Sequence, residues 1–147
     1  MNEKTELAWP VEAPFVVIRN VVDEDLDEFQ HVNNVRYIEW TQDVAWAHSE
    51  ALGFSFADYE RLGVGCVVWR HTFDYVSPLH AGEDVAVATW IKENDARVRM
   101  RRAFEMRRVS NGAICFRGET LFVTIEMASG KPCRMPQAFI DAYRPAV

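Results

Sequence analysis

The run from Asn33 to Leu52 constrains the fold most. Asn33 or Asn34 is a good N-cap, and Gly53 follows Leu52 as a stop signal. Between them the polar residues Arg36, Glu39, Asp43 and Glu50 occupy one narrow stripe. Almost everything else is apolar, including Val35, Ile38, Trp40, Val44, Trp46 and Leu52. A helix apolar nearly all round is a buried one and needs cover on most sides. A curved sheet can supply that cover.

The rest of the chain provides strands. Phe15 to Val22 is β-branched and lies between Pro14 and an acidic loop, which predicts a strand. Residues 1–13 form a loose, Pro-containing arm that Trp9 can pin to the body. After the long helix, Ser55 to Leu62 predicts a short helix capped by Ser55 and ended by Gly63. The period then changes from helical to alternating: Val67, Trp69, His71, Phe73 and Tyr75 share one face of a strand over Val64–Val76.

Val85–Ile91 predicts the next strand. In the one after it, Val98, Met100, Phe104 and Met106 alternate with Arg97, Arg99, Arg101, Glu105 and Arg107, giving one wet, basic face. Asn111-Gly112 is a hairpin signal leading into Ala113–Glu126, where Gly118 marks a bulge or a bend. Pro136 to Tyr143 closes the chain as a short helix. The last four strands, joined by short turns, are expected to form an antiparallel meander. The fold class is α+β, one bent antiparallel sheet around a central helix, in a single domain over 1–147.

Composition narrows the function. A net charge of −6 disfavours nucleic acid and membrane surfaces, which call for a basic footprint. The N-terminus is acidic and lacks an apolar signal core, and Cys66, Cys115 and Cys133 have no metal-like spacing. A cytoplasmic protein with reduced, buried thiols and no metal site is expected.

The chemistry concentrates in Asp23–Trp40, "DEDLDEFQHVNNVRYIEW", where acids, a histidine and two asparagines precede the helix. Helix N-termini carry free N–H groups and partial positive charge, which suit a developing oxyanion. A carboxylate beside such donors is the minimum kit for acyl chemistry.

Asp25, Asp27, Gln30, His31, Val32, Asn33, Asn34 and Tyr37 stand in the pattern Asp-x-Asp-x-x-Gly-His-Val-Asn-Asn-x-x-Tyr, with Gln30 in the glycine's place. "PLHAGEDV" and "ASGKPCRMP" add weaker matches. With the order of elements, these resemble the hotdog-fold thioesterases of the 4-hydroxybenzoyl-CoA thioesterase family, over about Phe15 to Tyr143.

The resemblance implies a hydrolase of acyl-CoA or acyl-carrier-protein thioesters that needs no cofactor. It makes Asp27 the base or nucleophile and the Asn34 backbone N–H the carbonyl donor. Asp25, His31 and Asn33 would support the loop. Tyr37 and Trp40 would border the acyl pocket. Arg97, Arg99, Lys131 and Arg134 are candidates to meet the CoA phosphates, as part of a local basic excess that also includes Arg101, Arg102, Arg107 and Arg108. Family members are dimers or tetramers with sites at interfaces, so self-association is expected. His48, His71 and His80 lack motif support and count as structural. A positive φ at Gln30 would strain that loop. The competing readings are an acyl-thioester hydratase, for which Asp27 and His31 are too closely spaced, and a non-catalytic acyl-CoA-binding protein.

Overall fold

A computed structural model describes residues 7–147, so the first six residues of the expected arm lie outside the described residues. The strands are β1 (Phe15–Asn20), β2 (Val64–Tyr75), β3 (Asp84–Asn94), β4 (Arg99–Arg108) and β5 (Ile114–Glu126). The helices are α1 (Asn34–Ala51), α2 (Phe56–Leu62) and α3 (Gln137–Ala142). The expected α+β architecture is present: one antiparallel sheet in the order β1-β3-β4-β5-β2, with α1 packed on one face.

The expected four-strand meander is corrected. Only β3, β4 and β5 follow one another across the sheet; β2 crosses over to pair with β5 and forms the far edge. Short turns favour neighbouring strands, but the link between β2 and β3 carries the chain from one side of the sheet to the other.

The predicted alternation in β2 is also corrected. A bulge between Val68 and Arg70 pushes Trp69 out of register, and Trp69 is exposed. Beyond the bulge His71, Phe73 and Tyr75 pair with Thr120, Gly118 and Phe116. One extra residue flips the phase of everything that follows. Gly118 stays in register, so it marks no bulge, and it allows a close approach: a Cβ there would lie 2.5 Å from the Thr72 carbonyl oxygen.

Helix α1 is buried along a stripe through Tyr37, Trp40, Thr41, Val44 and Ser49. Val35 and Trp46 remain exposed, so the expectation of cover on most sides fails for the isolated chain. The stripe packs on Val85, Val87, Phe104, Met106 and Phe116 in the main core. A second core joins Phe54, Tyr59, Phe139 and Tyr143 and ties α2 and α3 to the sheet. Each such large apolar side chain, fully buried, contributes about 1.5–3 kcal/mol.

The N-terminal arm is pinned as expected, with Trp9 under the Arg107 guanidinium at 5.4 Å from the ring centroid. Among the described residues no helix is long and apolar enough to cross a membrane.

Candidate active site

The acidic loop is held by its own backbone. A 3₁₀ turn over Asp23–Asp25 is capped by Asp25, whose Oδ2 accepts from the Val22 N–H at 3.0 Å. Asp25 also meets Arg36 at 3.4 Å, and its carbonyl accepts from the Asn33 N–H. It therefore ties the loop to the first turn of α1. A bridge between Leu26 and Val32 closes the segment between them.

Inside that segment the Asp27 N–H donates to the His31 carbonyl at 2.8 Å, and the Gln30 N–H donates to the Asp27 carbonyl at 3.0 Å. Gln30 does adopt φ 62°, left-handed backbone that glycine takes more readily. Asp27 Oδ1 accepts from the Phe29 N–H at 2.9 Å, while Oδ2 has no partner among the described residues. The carboxylate is thus oriented through one oxygen and free on the other.

Asn33 caps α1: its Oδ1 accepts from the Val35 N–H at 2.9 Å. Such a cap contributes about 1 kcal/mol. The Arg36 N–H is satisfied by the Asn33 carbonyl. The Asn34 N–H has no acceptor among the described residues, leaving one donor open at the positive end of the helix. His31 sets its ring edge-on to that of His80, 5.0 Å between centroids.

Tyr37 and Trp40 belong to the main core and are 3% and 2% exposed. Tyr37 stacks on Phe116, and burial pushes its hydroxyl pKa up to about 12. Neither residue lines the large cavity, which lies farther along α1. That cavity, about 380 Å³, opens between the middle of α1, helix α2 and strands β2, β4 and β5. The Asp27 loop does not line it. Thr41 does, and it follows Asn34 by about 10 Å of helix rise.

The arginines divide into two groups. Arg101 pairs with Glu93 and Glu119, Arg107 with Glu105, and Arg108 with Glu83 and the Pro78 carbonyl. Arg102 is turned to the helix side and is 2% exposed. The wet, basic face is therefore corrected in part: Arg97 and Arg99 are exposed, but Arg101 pairs with acids of β3 and β5, and Arg107 with Glu105 of β4 itself. Arg97, Arg99, Lys131 and Arg134 are exposed. They gather at the other end of the sheet from the loop, about 30 Å along β4 from Arg108. One chain does not bring them to Asp27.

Arg102, His48, Ser49 and Tyr143 form a polar cluster that no motif marked. Arg102 Nη1 donates to His48 Nδ1 at 2.8 Å and to Thr89 Oγ1 at 3.2 Å. Burial, aided by the Arg102 charge, lowers the His48 pKa to about 4. The Tyr143 hydroxyl donates to Ser49 Oγ at 2.9 Å and also meets the Tyr59 hydroxyl. The available signal was an arginine in phase with Met100, Phe104 and Met106, at a core position of the strand. His71 bonds Thr120 Oγ1 through Nδ1, and His80 approaches Glu83. Burial raises the Cys66 and Cys115 thiols to about 12, so they remain protonated at neutral pH. Among the described residues no group of three or more His, Cys, Asp or Glu is placed to hold a metal.

Three comparisons bear on this geometry. The family profile described as the thioesterase-like superfamily matches residues 21–143. YneP of Bacillus subtilis (strain 168), named for a proposed acyl-CoA thioesterase activity, is 26% identical over 80% of this chain and 83% of its own. Among solved structures, Slr0204 from Synechocystis, a 1,4-dihydroxy-2-naphthoyl-CoA thioesterase, is similar with a TM-score of 0.80 and 19% identity over 89% of this chain and 96% of that one. SAV2348 from Staphylococcus aureus, solved in complex with CoA, is similar with a TM-score of 0.83 and 18% identity over 95% of this chain and 91% of that one. The wrapped helix, the loop before it and the profile match agree: the chain belongs to the thioesterase-like superfamily of hotdog-fold thioester hydrolases.

Proposed function

We propose that this enzyme hydrolyses acyl-CoA thioesters, with Asp27 as the working acid. The observation that carries the proposal is a half-free carboxylate in the loop that leads directly into α1, whose N-terminal amide at Asn34 is open. Asp27 takes a proton from water, and the hydroxide adds to the thioester carbonyl. The oxyanion is met by the Asn34 N–H, favoured there by the helix dipole. The C–S bond then breaks; the carboxylic acid is released, and the CoA thiolate takes up a proton. Direct attack by Asp27, giving an anhydride that water opens, yields the same products. Asp25, His31 and Asn33 hold the loop while this happens.

The substrate brings its own CoA, and no further cofactor is needed. An acyl-carrier-protein thioester presents the same pantetheine arm. Self-association completes the site. β2 is an edge strand with exposed Val67, Val68, Trp69 and Tyr75, and an unpaired apolar edge favours a second strand. A second copy paired antiparallel along β2 would carry its Arg97, Arg99, Lys131 and Arg134 toward the first copy's loop, where CoA phosphates could meet them. A cytoplasmic setting suits both substrates and the free thiols.

Thiol release from acyl-CoAs tests the reading. Asp27→Asn is expected to lower turnover on the order of a hundredfold or more, with the thermal midpoint unchanged. Turnover near that of the parent would remove Asp27 from its role.

A further inference from the structure

Arg102 is a buried cation without a counter-ion. Among the described residues it has no carboxylate partner, and both of its hydrogen bonds leave from Nη1. Its acceptors there, His48 Nδ1 and Thr89 Oγ1, are neutral. Nε and Nη2 have no partner among the described residues, yet the residue is 2% exposed and lines the large cavity. The aromatic ring of Tyr143 lies 6.0 Å from its guanidinium carbon.

Among the other polar groups around the cavity, Thr41 donates to the Ile38 carbonyl and Gln42 is exposed. Tyr143, Ser49 and Tyr59 join through their hydroxyls, and His71 joins Thr120. The remaining walls are apolar, among them Val68, Phe104 and Phe122. A desolvated guanidinium in such a setting is stabilised by an anion, and its Nε–Nη2 edge matches the two oxygens of a carboxylate. A plain hydrocarbon end would leave those N–H groups unpaired.

We propose that the cavity receives an acyl chain ending in a carboxylate, so that the substrates are CoA thioesters of dicarboxylic acids, with the distal carboxylate on Nε and Nη2 of Arg102. This rests on the acyl-CoA hydrolase reading above. The helix rise from Asn34 to His48, about 21 Å, favours long chains if one copy supplies both ends.

The test uses the full chain and matched pairs of plain and ω-carboxyacyl-CoAs of about six to sixteen carbons. At the best length, kcat/KM is expected to be at least about tenfold higher for the ω-carboxyl member, and Arg102→Met to reverse the order. Equal rates, or preference for the plain chain, in the unsubstituted protein overturns the proposal. If Arg102→Met does not fold, Arg102→Lys, which keeps charge without the fork, is expected to lose most of the preference; full retention counts against it. If no thioester of either class is cleaved, the hydrolase reading has failed separately. Thermal protection by free dicarboxylic over monocarboxylic acids then decides the cavity: selective protection supports it and equal protection sinks it.

Discussion

The two ends of α1 present opposite designs. At its start, a short loop arranges Asp25, Asp27, Asn33 and Asn34 by contacts between residues a few positions apart. It is polar, partly exposed and does not line the large cavity. Toward its end, a cavity is assembled from α1, α2, three strands and Tyr143, with its charged group hidden. The first region is chemistry without volume, and the second is volume with one unmatched charge. On the proposed reading, reaction and substrate choice fall to different parts of one helix, and each is expected to change alone.

Three substitutions probe that separation, beginning with the largest effect. Ala45→Phe fills the cavity and leaves the loop alone. For long acyl chains kcat/KM is expected to fall roughly tenfold or more, while short acyl chains keep their rate. A uniform loss across lengths, measured by thiol release, would show that the two regions are not separable.

His48→Gln keeps an acceptor for Arg102 and removes a titrating group. The folded pKa of His48 is depressed to about 4 from 6.5, so the native state resists the proton that the unfolded chain accepts. The histidine's stability contribution is therefore present above about pH 6.5 and is lost as pH falls toward 4. The parent should lose on the order of 2 kcal/mol more than the variant between pH 7 and 4.5, read from urea midpoints. Parallel losses would place the acid sensitivity elsewhere.

Gln30→Gly has the smallest expected effect. It relieves a left-handed residue in the loop, offset by the greater freedom of glycine when unfolded. A gain of up to about 1 kcal/mol with unchanged turnover would mark the strain as incidental to catalysis. Loss of turnover would mean that glutamine shapes the site.

The same contrast explains what the sequence disclosed. The loop, the α1 cap, the Ser55 cap and the Asn111-Gly112 turn depend on near neighbours in the chain, so spacing alone revealed them. The Asp58 carboxylate, for example, closes the Ser55 cap at 2.8 Å and is held at about 2 by that N–H first and by Arg61 next. Strand order was not legible, because the β2–β5 pairing joins residues about fifty positions apart, and a single bulge at Trp69 reversed the phase of half a strand. Arg102 lies among the other arginines in number, but it shares the strand phase of Met100, Phe104 and Met106, which turns it into the core. Tyr37 and Trp40 adjoin the motif and lie in the main core, whereas the cavity's lining depends on contacts that only folding creates.

Tyr143 has a further consequence. It is the C-cap residue just past a six-residue helix, yet its hydroxyl and ring help define the wall around Arg102. Chamber depth can therefore drift through changes in the segment around Tyr143, with the loop before α1 inherited intact. Grafting that tail between relatives offers a compact route to recoding which acids are released.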